Sequence, residues 1–295
     1  MTRIAALITA VLVATTVAAC GPGDPLAGGA GEGTGVATVV VGSANFAESE
    51  LLMEIYAAAL RKAGIEVQTR ARLGTREITN VAVTDGSITV MPEYSGNLLA
   101  SVDPQATATT ADEVYAALQR ALPPELQVLE QSEAEDSDVL VVTQQTASTL
   151  GLTSMEQLAP HCAQLTLGAA GEWPRRWKDK IAQLYGCTFR EIISTDAAGP
   201  VTLEALRSGQ AQVVNLFTTS PDIAANGWIE LADPKQMYPA QRIVPLVRAG
   251  ALNQTGIDAL NTVSAALTTA RLTEFNRRIA QDRAVPADLA EDFVS

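Results

Sequence analysis

Apolar and polar positions along the chain fall into two copies of one pattern. Thr38 to Val41 (TVVV) is a short β-branched run closed by Gly42, which reads as a strand and a turn. From about Ala47 to Lys62 the spacing becomes helical: Leu51, Leu52, Ile55, Ala58 and Ala59 share one face, and Gly64 stands where a helix C-terminus is closed. Ile65 to Leu73 alternates as a strand. Gly74 and Thr75 then open a second helix, with Thr75 as N-cap and Ile78, Val81 and Ala82 expected inward. Asp85 and Gly86 end it before a strand over Ser87 to Met91.

The grammar returns later in the chain. Leu165 to Gly168 reads as a strand, Gly171 as a turn, and Trp177 to Tyr185 as a helix ended by Gly186. Thr202 to Arg207 is a short helix, Ser208 and Gly209 break it, and Ala211 to Phe217 is a strand. Set side by side, ITNVAVTDGSITVMPEY and VTLEALRSGQAQVVNLF show the same order of helix, glycine, alternating strand and aromatic end. Such units recur wherever helices pack on parallel sheets, so the repeat predicts an α/β class with two similar lobes. Between the copies, Val139 to Val142 is a strand after the acidic run SEAEDSD, whose charges (133 to 138) read as a solvated loop. Beyond them, Leu231 to Tyr238 is a loop, Ile243 to Val247 a strand, and Thr255 to Ala280 carries helical spacing through Ile257, Leu260, Val263, Leu267 and Leu272. The chain is expected to leave the first lobe near residue 129, build the second over 130–232, and return near 233, so that 38–129 and 233–295 form lobe 1. Two crossings make a hinge, and a hinge between lobes makes a cleft.

Composition narrows what such a cleft does. The 295 residues are 47% hydrophobic and 18% charged, a folded chain with room for about two domains. Twenty Lys+Arg against 33 Asp+Glu give a net charge of −13, which argues against a nucleic-acid partner. One histidine, His161, in a polar loop, and three cysteines leave too few soft ligands for a closed zinc site. No GxSxG, HExxH, P-loop or strand-borne GxGxxG occurs, so neither an enzyme nor a bound cofactor or metal is expected.

The first residues change the compartment. Arg3 precedes an apolar run from Ile4 to Val17, broken only by threonines, which ends in Ala18, Ala19 and Cys20. This has the parts of a secretory signal and is short for a bilayer span of about 20 residues. Cys20 after small residues resembles the bacterial lipoprotein box; a plain signal peptide leaving a free thiol is the alternative. Residues 21–37, with GPGDPLAGGAGEGTG, read as a flexible tether. With Cys20 lipidated, Cys162 and Cys187 remain, an even pair that in an exported protein reads as a disulfide contributing about 3 kcal/mol. Two separated buried thiols are the alternative, and without a CxxC no redox role follows.

Several stretches together then carry a resemblance. VVVGSANFAESELLMEIYAAALRKAGIEV, LGTRE, PEYSGN, VVNLFTTSPDI and LADPKQMYPAQRIVPLVR resemble, in order and spacing, the substrate-binding lipoproteins of ABC importers for glycine betaine and related osmoprotectants. The resemblance covers roughly residues 38 to 250 and is most specific at Asn45, Phe46 and Glu48, at Arg76, and at Glu93, Tyr94 and Gly96. It implies a two-lobe periplasmic-binding-protein-like fold that holds a quaternary ammonium among tyrosines, whose ring faces attract a desolvated cation. Mapped by position, Tyr94 matches one box tyrosine and Asn97 stands where a carboxylate-binding Thr is usual. The other box positions fall on Asp138, Phe217 and Gln241, and Ser49 replaces a frequent Gln. One tyrosine and one phenylalanine of four survive, which supports transport binding more strongly than betaine binding.

Each candidate has a plainer role beside it. Tyr94 and Phe217 end corresponding strands, as cleft walls or as core. Asn45 and Phe46 precede the first long helix, whose N–H groups would meet an anionic ligand group; a helix cap with a packed Phe is the alternative. Arg76 at a helix start implies a carboxylate partner, which is the ligand, Glu48 or Glu93. Asp138 offers a charge to a cationic or hydroxyl-rich ligand if it faces the cleft. Trp173 holds in lobe 2 the place of Phe46 and is a cleft wall or lobe packing. The expected protein is an extracytoplasmic, lipid-anchored monomer that captures a small polar molecule and hands it to an ABC permease. A ligand-sensing module signalling to a membrane receptor is the competing expectation.

Overall fold

The computed structural model describes residues 38–295. The signal segment, Cys20 and the 21–37 tether lie outside the described residues. The chain opens with β1 (Val39–Gly42), α1 (Ala47–Lys62), β2 (Val67–Arg70), α2 (Arg76–Asp85), β3 (Val90–Tyr94), α3 (Ser95–Val102), α4 (Ala111–Ala121) and β4 (Leu126–Val128). It continues through β5 (Asp138–Val142), α5 (Gln144–Leu150), α6 (Met155–Leu158), a 3₁₀ turn over 159–164, β6 (Thr166–Ala170) and α7 (Trp173–Tyr185). Next come β7 (Glu191–Thr195), α8 (Pro200–Arg207), β8 (Val213–Phe217), α9 (Pro221–Ala225) and β9 (Ile229–Glu230). Last are β10 (Ile243–Arg248), α10 (Gln254–Ala266), α11 (Thr269–Asp282) and α12 (Pro286–Val294).

These strands form two sheets built alike, ordered β2-β1-β3-β10-β4 and β7-β6-β8-β5-β9. In each, three parallel strands are followed by two antiparallel pairings. The repeat read from the sequence is therefore real: β3 and β8 are the central strands of their sheets. The fold is the expected α/β architecture of two lobes. The chain passes from one sheet to the other over 129–137 and back over 231–242. These segments bond to each other, Asp136 N–H to Gln241 C=O at 3.1 Å and Ile243 N–H to Ala134 C=O at 3.1 Å, making a short ribbon between the lobes.

Burial explains the main elements. Leu51, Leu52, Ile55 and Ala58 of α1 are buried in one core with Leu260 and Val263 of α10 and Leu289 of α12. Gly64 takes φ +80° just past the end of α1, the left-handed conformation that a helix exit favours. In the second lobe Trp173, Trp177, Ile181 and Tyr185 line one face of α7 at helical spacing and are buried against Leu167 and Tyr238. Cys162 and Cys187 are joined, with Cα atoms 5.4 Å apart.

Several expectations need correction. The second helix buries Thr79 and Val83 and turns Ile78 and Val81 outward, 55% and 63% exposed. Arg76, anchored to Glu93, sets the rotation, so Arg76, Thr79 and Val83 share the inner face. The following strand runs Val90–Tyr94 rather than Ser87–Met91. Helix α7 begins at Trp173, four residues early, because Pro174 suits a first turn. The single helix expected over 255–280 is two, since Thr268 caps α11 and the Leu267 carbonyl accepts the Ala134 N–H of the crossover. The acidic run is not simply solvated: Asp136 and Asp138 are 3% and 9% exposed.

Candidate functional site

A cavity of about 300 Å³ lies between the two sheets and is lined from both lobes. Sheet register delivers its walls: Tyr94, the last residue of β3, sits opposite Ile243, and Phe217, the last of β8, opposite Asp138. Strand ends in open α/β sheets face such crevices. Phe46 stands between them, its ring centroid 5.9 Å from both Tyr94 and Phe217. Three rings thus gather at one end. Trp173 and Trp177 line the cavity from the second lobe, with the Trp173 indole N–H donating to Tyr238 Oη at 3.0 Å.

The polar groups are mostly committed to one another. Arg76 grips Glu93, with Nε 3.0 Å and Nη2 2.9 Å from Oε2, and both side chains are largely buried. Burial alone would lower the Arg76 pKa, but the Glu93 carboxylate outweighs it and raises it. Of the three partners considered for Arg76, Glu93 is the one it holds. Asn97 donates its backbone N–H to Gln241 Oε1 at 2.9 Å and its Nδ2 to Asp138 Oδ2 at 3.3 Å, while its own Oδ1 has no partner. Burial pushes the Asp138 carboxyl up, against the pull of Asn97, Asn215, Arg176 and Arg76. Ser49 Oγ accepts the Ala44 N–H at 2.9 Å and so shapes the loop carrying Asn45.

Beneath the rings lies a second network. Tyr94 Oη donates to Glu48 Oε1 at 2.7 Å, and Thr219 Oγ1 lies 2.6 Å from Glu48 Oε2 and 2.8 Å from Asp136 Oδ1. Asn276 Nδ2 also donates to Glu48 Oε2. Burial first, and then the Glu48 charge, push the Asp136 carboxyl well above the usual range; the same two causes raise the Tyr94 phenol.

Nine of the ten sequence-derived positions line the cavity: Asn45, Phe46, Ser49, Arg76, Tyr94, Asn97, Asp138, Trp173 and Phe217. Gln241 does not; fully buried, it supports Asn97 from behind. Arg176, Asn215, Asp136 and Asp196 also line the cavity and were not singled out from the sequence. Arg176 was within reach, since it lies three residues beyond Trp173 and thus on one helical face with it. Asp196 is spent capping α8 through the N–H groups of Gly199, Val201 and Thr202. By contrast, Phe46, Thr75 and Glu172, the cap residues of α1, α2 and α7, bond no helix N–H through their side chains, and all three line the cavity. Those helix ends present partial positive charge to it. Gly96 is fixed by the crossover, since a Cβ there would lie 2.6 Å from the Ala240 carbonyl oxygen.

A family model described as the substrate binding domain of ABC-type glycine betaine transport systems matches residues 37–295. The chain belongs to this family. The glycine betaine-binding protein YehZ of Escherichia coli strain K12 is similar, 25% identical over 272 residues that cover 87% of this chain and 89% of YehZ. A crystal structure described as a glycine betaine/carnitine/choline ABC transporter superposes with TM-score 0.70 at 20% identity, over 87% of this chain and 97% of that one. Lactococcal OpuAC, closed on glycine betaine, superposes with TM-score 0.62 at 16% identity, over 87% and 94% of the two chains. Members of the family are substrate-binding proteins of ABC transporters, not enzymes, so this chain is an extracytoplasmic binding component that works with a permease.

Proposed function

We propose that this protein captures a small polar, osmoprotectant-like molecule in the interlobe cavity and presents it to its permease while tethered to the membrane through Cys20. The lobes in this reading are 38–129 with 233–295, and 130–232, hinged at the paired crossovers. The observation that carries the reading is the polarity of the cavity. Three aromatic rings and Asp138 offer an attractive seat for a cation, and the N-termini of α1 and α7, without a side-chain cap, offer one for an anion. A compact zwitterion satisfies both. The helices of the described residues include none long and apolar enough to cross a membrane.

The test is a thermal-shift screen of glycine betaine, its less methylated analogues, choline, carnitine and proline. A ligand at a hundred times its Kd stabilises the fold by about 2.7 kcal/mol, a shift of several degrees. With a hit in hand, Tyr94→Ala and Phe217→Ala are each expected to cost about 1 to 2 kcal/mol of binding. If both variants fold and bind unchanged, the cavity is not the site.

A further inference from the structure

We propose that the cationic end of the ligand carries at least one N–H, and that Asp138 with Asn97 selects such a protonated amine over its fully methylated counterpart. The inference rests on the zwitterion reading above and goes further by choosing among its members.

Asn97 and Asp138 both line the cavity, and each is 9% exposed. The orientation of the Asn97 amide is fixed by its neighbour: Nδ2 meets Asp138 Oδ2 at 3.3 Å, and the flipped amide would set two acceptors face to face. Oδ1 is therefore the free end, a buried acceptor with no protein donor. Gln241 cannot turn to serve it without giving up the Asn97 N–H, which it holds through Oε1 at 2.9 Å. Beside this acceptor stands the Asp138 carboxyl, whose hydrogen-bonding neighbours, Asn97 and Asn215, are neutral amides and whose nearest charges are those of Arg76 and Arg176. The corner offers two hydrogen-bond acceptors, one of them a carboxyl, and asks for donors. The nearest full cations on the lining, Arg76 and Arg176, do not fill that role. Arg76 is bound to Glu93, and Arg176 reaches toward Glu77 of α2 at 3.9 Å.

The aromatic rings alone do not choose. Phe46, Tyr94 and Phe217 attract any ammonium through their faces, methylated or not. A quaternary ammonium, however, presents methyl groups to Asp138 and to Asn97 Oδ1 and gives a hydrogen bond to neither acceptor. An amine of the same charge and nearly the same size gives an N–H to one or both. Sites built to receive a donor reject analogues lacking it far more strongly than apolar pockets reject a methylene.

Glycine betaine, N,N-dimethylglycine and sarcosine share a carboxylate and a charge and differ in having no, one or two N–H bonds. Titration calorimetry of the purified protein is expected to show dimethylglycine or sarcosine bound at least about tenfold more tightly than betaine. Asp138→Asn, checked for folding by circular dichroism, is expected to shrink that ratio to within about threefold. Betaine binding tightest, or a ratio unchanged in Asp138→Asn, would overturn the proposal while leaving the transport reading in place. Absence of binding by all three compounds would overturn the zwitterion reading and this inference together.

Discussion

Thr219 has one hydroxyl proton and two carboxyl oxygens within 2.8 Å, on Glu48 and Asp136. The second short contact needs a proton on a carboxyl, and burial beside the Glu48 charge raises the Asp136 carboxyl in the direction that holds one. The folded state thus binds a proton that the unfolded chain releases near pH 4. Stability from this group is whole below that pH and is lost as pH rises toward the raised folded value. Asp136→Asn keeps an amide oxygen for the Thr219 N–H and does not titrate, so it should remove that loss. Across the window, urea denaturation of both proteins is expected to show the variant gaining on wild type by about 1.4 kcal/mol per pH unit. A difference that stays flat with pH would refute the shared proton. None of this was legible in the sequence, where Glu48 was weighed only as a partner for Arg76 and 133–138 as a loop. A run of acids looks solvated until the other lobe is known to cover it. Tyr94 and Phe217 were legible, because a strand that ends in an aromatic after a helix and a glycine announces its own position, and Phe46 because it stands just before the first long helix.

At the scale of elements, periodicity located β1 to β3, β5, β6, β8, β10, α1, α2, α7, α8 and the α10–α11 stretch, but not α3 to α6, α9, α12, β4, β7 or β9, and not how far each helix was turned. Helix α2 carries apolar residues on two faces, and only the Arg76 to Glu93 ion pair, invisible in a linear reading, decides which is inward. Likewise α10 and α11 share an unbroken apolar rhythm across Leu267, and a hydrogen bond from the crossover marks the break. The cysteine pair was readable because the chain has an even number once Cys20 is set aside. It ties the 3₁₀ turn before β6 to the segment after α7, a separation of 25 residues. Chain entropy assigns such a loop about 3 kcal/mol, so the double Cys162→Ser, Cys187→Ser variant should melt several degrees lower. Melting of wild type with and without reductant checks this, and equal midpoints would mean that the bond adds nothing to the described fold.

At the scale of the molecule, the repeat was legible as two lobes and the crossovers as a hinge, but the exchange of strands at that hinge was not. The first sheet takes its fourth strand, β10, from the far end of the chain, and among the described residues β4 pairs with no strand but β10. The second sheet draws all five strands from 138–230. As the chain is made or exported from its N-terminus, residues 39–128 therefore wait with an open edge on β3 and an orphaned β4. A contiguous stretch behind them already holds every strand of its own sheet. Pulse-labelled hydrogen exchange during refolding should accordingly protect amides of 138–230 before those of β3 and β4, and simultaneous protection would contradict that order. The lobe that begins the sequence is the one finished last, and during that delay it is the half most in need of a chaperone.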